Sequence, residues 1–166
     1  MKNKLMAWLL MGILCFTSVA MAQSEAPATF SPQSIELEPF TFAIDYRWAV
    51  KEPSKDDAAN GVLFQADSAD GLQSLMVFTS GKGSYDDIYE LLARTEYAGE
   101  GKREELQMYN NIEVNFLTNE ETMSASAYFE LDGVIYHFLL RNTQEKYEAK
   151  PMETLQGVML SLMAKE

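Results

Sequence analysis

A loop with two glycines, a lysine and a serine is the segment of this sequence most similar to a phosphate-binding site. Residues 81–84, Gly-Lys-Gly-Ser, follow an apolar run and precede a helical pattern. A GxxxxGK[ST] loop needs a glycine upstream and its lysine after the second glycine, whereas Lys82 precedes Gly83. Ser84 and the two aspartates after it instead resemble a helix N-cap, and their negative charge lies where a phosphate would bind. We therefore predict a helix start and no nucleotide site.

His137 is the only histidine and is the second candidate for chemistry. A general base would need a nucleophile and a third group that orients the base, and no nucleophile motif occurs in the sequence. A zinc site would need further ligands at paired spacing, which is also missing. We interpret His137 as a structural residue beside Tyr128, and we predict no catalytic residue, cofactor-binding residue or metal ligand.

The N-terminus has the pattern of an export signal. The first four residues carry two lysines, an apolar run covers residues 5–17, and an Ala-x-Ala site ends at Ala22. This predicts cleavage between Ala22 and Gln23, with residues 1–22 as the signal peptide. The apolar run is shorter than the ~20 residues of a membrane span, so no stable anchor is expected after cleavage. Lipidation at Cys15 is an alternative, although Leu14 stands where a small residue is expected.

The chain is strongly acidic, with 13 Lys and Arg against 25 Asp and Glu, a formal net charge of −12. The predicted cleavage removes two of the lysines, no acid, and the only cysteine, so disulfides and thiolate metal sites are excluded. Such charge argues against binding nucleic acid or anionic lipid, and it permits a basic partner. We expect a periplasmic or secreted protein of one domain.

Hydrophobic spacing predicts the secondary structure. Residues 23–36 are polar and contain prolines, which predicts a flexible leader before a single domain over residues 37–166. Strands, hairpins and two helices then follow in the order β-β-β-α-β-β-β-β-α, where the first helix has the stripe Ile88, Leu91 and Leu92. This order predicts an α+β fold, in which an antiparallel sheet is flanked by helices.

The last hairpin can be predicted in register. If Asp132-Gly133 is a two-residue turn, Ala125, Ala127, Phe129 and Leu131 of one strand share a face with Val134, Tyr136, Phe138 and Leu140 of the other. We expect this face to be buried under the C-terminal helix. The opposite face is mixed, so it is either partly solvated or covered by something amphipathic. It is the candidate partner face, with Tyr128, Ser126, His137 and Arg141.

Three segments together resemble the Mog1/PsbP-like superfamily. They are the strand FAIDY with a tryptophan nearby, the helix start SYDDI, and the closing segment KYEAKPMETLQGVMLSL. The resemblance covers roughly Leu37 to Met163 and implies an α-β-α sandwich. Its members mostly bind or stabilise other proteins, which implies a non-enzymatic role. The chain departs from its relatives at Tyr46-Arg47-Trp48, where they often have a proline and a longer spacing.

These observations favour an exported, non-enzymatic accessory protein that holds another envelope protein through a sheet face or a sheet edge. An immunity protein against an envelope toxin, or an envelope-stress protein, is a narrower form of this hypothesis. Two alternatives stay open: a hydrolase with an unrecognised carboxylate site, and a carrier of a small ligand at the mixed face around Tyr128 and His137.

Overall fold

The structure of the protein is a computed structural model that describes residues 31–80, 85, 87–144 and 150–165. All structural statements below concern these residues. The predicted signal peptide and its cleavage site between Ala22 and Gln23 lie outside them, and so do Cys15 and the loop at residues 81–84.

Strands outnumber helices along the described chain. The strands are β1 Pro32–Glu36, β2 Phe40–Asp45, β3 Ala49–Lys51, β4 Val62–Asp67, β5 Gln73–Thr79, β6 Lys102–Arg103, β7 Gln107–Tyr109, β8 Ile112–Asn119, β9 Ser124–Leu131, β10 Val134–Asn142 and β11 Met163–Ala164. The helices are α1 Lys55–Ala59, α2 Ile88–Tyr97 and α3 Pro151–Met159.

An eight-stranded antiparallel sheet forms the centre of the molecule. Its strand order is β3-β4-β5-β10-β9-β8-β6, and β7 pairs with β8 beside that path. A small sheet of order β1-β2-β11 packs with α3 on one face of it, and α2 packs on the other face. The predicted α+β class, an antiparallel sheet with helices on both faces, is confirmed. The small sheet within one outer layer was not predicted.

The register of the last hairpin agrees with the prediction at every pair. Leu131 lies opposite Val134, and the pairing continues without a shift to Ser124 opposite Arg141. Asp132 and Gly133 both have positive φ, 53° and 73°, as a tight two-residue hairpin turn requires. The turn therefore fixes which side chains of β9 and β10 face the core.

Four phenylalanines join the small sheet to the large one. The ring of Phe40 meets Phe129 edge-on at a centroid distance of 5.2 Å, and Phe42 meets Phe138 edge-on at 4.9 Å. All four are at most 1% exposed. Such edge-to-face pairs add about 0.5–1.5 kcal/mol each beyond the burial of their area. The cluster holds β2 and α3 together over one face of the sheet.

Part of the predicted leader is folded. Residues 32–36 form β1, which pairs with β2 from Pro32 opposite Asp45 to Glu36 opposite Thr41. The prediction of a flexible leader over residues 23–36 was therefore wrong for its last five residues. Ile35 is the only large apolar residue among them, so they show little hydrophobic alternation. The backbone of β2 supplies hydrogen bonds to this segment whatever its side chains are.

The start of α2 also differs from the prediction. Asp87 is the N-cap, and its side chain accepts a hydrogen bond of 2.8 Å from the backbone N–H of Glu90. The predicted cap, Ser84, lies outside the described residues. Aspartate is as good a cap as serine, so the sequence offered two starts three residues apart. The predicted stripe of Ile88, Leu91 and Leu92 is buried, as expected.

Ala127 offers a direct test of the register. It is fully buried beneath α3, so Ala127→Glu puts an unpaired carboxylate into the core and should cost about 4 kcal/mol or more. Ser124→Glu adds the same group to the half-exposed opposite face of β9 and should change stability little. Circular dichroism and thermal melting compare the two variants. A melting temperature for Ala127→Glu equal to that of the wild type would contradict the observed register.

Candidate functional site

The candidate partner face is divided by α2. The apolar stripe of α2 packs on Leu117, Tyr128 and Ile135, which leaves Tyr128 only 6% exposed. Burial raises the pKa of its hydroxyl. Tyr128 is therefore covered by the protein itself, and its prediction as a partner-contacting residue is corrected. The mixed face was expected to be either partly solvated or covered by something amphipathic. Both descriptions apply, because the amphipathic helix α2 covers one part of the face and the rest is half-exposed.

His137 lies at the border of the covered part. Its ring stacks on Tyr128 at a centroid distance of 4.2 Å and on Phe78 at 5.4 Å. Its Nε2 atom is 2.9 Å from the hydroxyl of Ser126. Burial lowers the pKa of His137 to about 4, so the ring is neutral at neutral pH. The neutral ring therefore stacks against two aromatic side chains and contacts one hydroxyl. These contacts agree with the interpretation of His137 as a structural residue.

Ser126 and His137 are the described residues closest to a catalytic pair, but the described residues around them do not supply the groups that would activate them. No carboxylate within the described ranges bonds to His137 to orient the ring. Both residues lie within strands whose backbone groups pair with neighbouring strands, so the site offers no obvious oxyanion donors. Nor does this part of the chain bring together three or more residues of the types that hold a metal ion.

Arg141 lies apart from the other three residues. It is exposed, and it faces Ser124 on one side and Ser74 on the other. Only Tyr128, Ser126 and His137 are thus brought together. Arg141 belongs to a separate, uncovered region of the same sheet face.

A groove between β2 and α3 was not found by sequence reasoning. It has a volume of about 490 Å³, within the range of small-ligand and side-chain pockets. Its lining residues, called here the Trp48 groove, are Ala43, Ile44, Asp45, Trp48, Glu153, Thr154, Gly157, Val158, Leu160 and Ser161. The Ser161 hydroxyl accepts a hydrogen bond of 2.7 Å from the N–H of Ala43, which fixes the end of α3 against β2.

Small residues keep this groove open. Gly157 lies on the exposed side of α3, and a Cβ atom placed there would have no heavy atom within 4 Å. Leu160, at the C-terminal end of α3, is 72% exposed although it is large and apolar. The groove therefore presents an apolar surface that no described part of the chain covers.

An ion pair holds the turn at the end of the groove. Two atoms of the Arg47 guanidinium donate to the two carboxylate oxygens of Asp45, both at 2.8 Å. These hydrogen bonds hold the pKa of Asp45 below its usual value. Trp48 follows directly and separates the groove from a second hollow of about 330 Å³, which is lined by Arg47, Trp48, Ser68, Ala69, Asp70, Gln73 and Thr154.

The sequence did contain one signal for this site. Tyr46, Arg47 and Trp48 are consecutive, and these are the three residue types that most often dominate binding energy at protein interfaces. The position of this segment beside α3 depends on a contact between residues more than a hundred positions apart, which spacing along the chain does not indicate.

Comparison with known proteins identifies the fold. No family model and no curated protein matches this chain. Among solved structures it is similar to the solution structure of cyanobacterial PsbP (CyanoP) from Synechocystis sp. PCC 6803, with a TM-score of 0.56 and 15% sequence identity. The match covers 82% of this chain and 94% of that one. The chain has a PsbP-like fold.

This similarity confirms the fold that the three sequence segments implied, and it covers most of the chain. None of the helices in the described ranges is both long and apolar enough to cross a membrane.

The single histidine makes its pKa directly measurable. The His137 ring protons should titrate in an NMR experiment near pH 4, well below the usual value of 6.5, because charging the buried ring is unfavourable. The unfolded chain takes up this proton near pH 6.5, so stability falls as the pH drops from 6.5 towards 4. The loss should reach roughly 2–3 kcal/mol.

Chemical denaturation between pH 7 and pH 5 measures the first part of this loss, about 2 kcal/mol. His137→Gln should flatten the curve in that interval, because it removes a group whose pKa is lowered by burial in the folded chain. A titration midpoint of His137 near 6.5, or an unchanged slope in the variant, would contradict the buried, neutral ring.

Proposed function

We propose that the protein is an exported, non-enzymatic accessory protein that binds another envelope protein through the Trp48 groove. One observation carries the proposal: a large apolar groove, uncovered by any described residue, ends at a Tyr-Arg-Trp turn. A PsbP-like fold supports it, because the superfamily that the sequence resembles consists mostly of proteins that bind or stabilise others. An immunity protein or an envelope-stress protein would be a narrower form of the same function.

The exposed residues around the groove are suited to hold a protein. Tyr46 is 61% exposed, Leu160 is 72% exposed, and Trp48 is half-buried with hollows on two sides. Tryptophan and tyrosine supply large contact areas at low cost in conformational entropy. The Asp45–Arg47 pair fixes the turn before any partner arrives, so less conformational freedom is lost on binding. The groove is therefore a preorganised docking site.

The charges near the groove indicate the chemistry of the partner. Asp45, Asp70 and Glu153 line the two hollows, where Arg47 pairs with Asp45 and Lys150 pairs with Glu153, and the whole chain carries a net charge of −12. Opposite charge accelerates association and selects the correct partner. We expect the bound segment to place an apolar side chain beside Trp48 and to carry Lys or Arg next to it.

Export is the first part of this proposal to test. Intact mass analysis of the protein isolated from the cell envelope should give an N-terminus at Gln23, because the Ala-x-Ala site ends at Ala22. A chain acylated at Cys15 would establish a lipoprotein instead. A full-length chain that starts at Met1 would contradict export through this signal.

Gly157 allows a test that separates binding from folding. Gly157→Leu places a side chain into open space in the groove, and it replaces a helical glycine by a better helix former. We expect stability to stay the same or to rise by up to about 1 kcal/mol, while the partner is excluded. Gly157→Ala should give the same gain in stability with a smaller loss of binding.

The tagged mature chain would be used to capture proteins from an envelope extract, and a captured partner would then be purified. Its affinity should fall roughly tenfold or more for Gly157→Leu and should change little for Tyr97→Ala, a 96% exposed control on α2. Trp48 is the only tryptophan after residue 22, so its fluorescence should shift on binding. Equal affinity of the wild type and Gly157→Leu would refute the groove as the docking site.

A further inference from the structure

One region of the large sheet is left uncovered by α2. The buried residues that pack with the helix are Leu117, Tyr128 and Ile135, and none of them lies on β3, β4, β5 or the far end of β10. A hollow of about 290 Å³, called here the sheet hollow, lies on this part of the face. Its lining residues are Lys51, Gln65, Asp67, Ser74, Met76, Arg141 and Thr143.

The strand register brings these side chains onto one face. Asp67, Ser74 and Arg141 lie directly opposite one another on β4, β5 and β10, and Gln65 and Met76 form the next row. Adjacent strands are about 4.8 Å apart, so the Cα atoms of Asp67 and Arg141 are separated by roughly 10 Å. Long side chains from both edges of the hollow can therefore converge over Ser74 and Met76.

Three hydrogen-bond donors in the sheet hollow have no side-chain partner among the described residues. They are the guanidinium of Arg141, the hydroxyl of Ser74 and the amide of Gln65. The other polar groups are engaged: Lys51 forms an ion pair with Asp67, and the hydroxyl of Thr143 donates to the carbonyl of Gly71 at 2.8 Å. A guanidinium without a side-chain partner among the described residues is well suited to a carboxylate, which it contacts with two parallel hydrogen bonds.

The local charge also favours an anion. The chain has almost twice as many acids as bases, yet the sheet hollow is lined by two cations and one acid. The Trp48 groove, in contrast, is lined by two acids and no base. The half-buried side chain of Met76 adds an apolar floor between the donors, against which a short carbon chain can pack.

We propose that the sheet hollow binds the carboxylate of a small organic acid, with Arg141 as the main ligand and Ser74 and Gln65 as neutral donors. Arg141 accepts the carboxylate on its guanidinium, and the carbon chain of the acid lies on Met76. The volume of the hollow suits a molecule with few carbon atoms. This site is independent of the Trp48 groove, because it lies on the other face of the sheet.

The experiment is an NMR titration of the mature, ¹⁵N-labelled protein with succinate in about 0.1 M NaCl, which screens long-range charge effects. The backbone amides of Ser74, Met76 and Thr143 and the side-chain Nε–H of Arg141 should shift and saturate. Succinamide, which has the same carbon chain without the charge, should give no saturable shift. Failure of succinate to saturate any of these signals would overturn the proposal.

Two matched variants locate the binding site. Arg141→Gln should weaken succinate binding roughly tenfold or more, because it removes the charged double hydrogen bond. Arg94→Gln removes the same charge from α2, where Arg94 pairs with Glu90, and it should change the affinity less than about twofold. Both side chains are exposed, so thermal melting should confirm intact folds. Equal weakening in the two variants would attribute the effect to net charge and would reject the site.

Discussion

The pairing of β9 with β10 decides what each face of the large sheet can do. Successive side chains of a strand point to opposite faces, so a slip of one residue would exchange the two faces completely. It would bury Glu130 and expose Phe129, which is fully buried. Burial of an unpaired carboxylate and exposure of a phenyl ring both cost several kcal/mol. The turn at Asp132 and Gly133, whose positive φ angles permit a two-residue connection, supports the same register.

Both candidate sites follow from this register. On one face, the small side chains of Ala125 and Ala127 leave room for α3, and where α3 meets β2 the small residues Ala43 and Gly157 leave the Trp48 groove open. On the other face, α2 has ten residues and is therefore about 15 Å long. The sheet path of seven strands is about twice as wide. One short helix leaves a large area of this face uncovered by the described residues, and the sheet hollow lies there.

The sequence predicted those features that depend on short-range patterns. The alternation along β9 and β10 and the stripe of α2 each need only local spacing and the hydrophobic effect, and both agree with the structure. The resemblance to PsbP-like proteins rested on the same spacing, and the overall fold agrees with it. Local patterns are informative here because the buried face of each strand or helix requires apolar residues at a regular spacing.

The features that were missed depend on contacts between distant parts of the chain. β1 has one large apolar residue, Ile35, and it is a strand because β2 offers it a partner. The Trp48 groove needs Ser161 beside Ala43, and neither residue type indicates a binding site on its own. Tyr128 was assigned to a contact surface because the sequence predicted α2 but not the position of α2 over β9. Residue propensity and hydrophobic periodicity predict single helices and strands, whereas these binding sites form where two such elements come into contact.

The two proposed sites lie on opposite faces of one sheet and differ in charge. The groove is lined by more acids than bases and the hollow by more bases than acids, so a single ligand cannot satisfy both. β10 is paired on both sides, with β5 and with β9. Coupling between the two sites would need an element with two arrangements that both sites favour, and without one we expect occupation of the sheet hollow to leave the affinity of the Trp48 groove unchanged. Two strands contribute to both regions: β10 carries Arg141 at one end and Phe138 in the aromatic cluster under β2, and on β5 Ser74 of the sheet hollow follows Gln73 of the hollow beside Trp48.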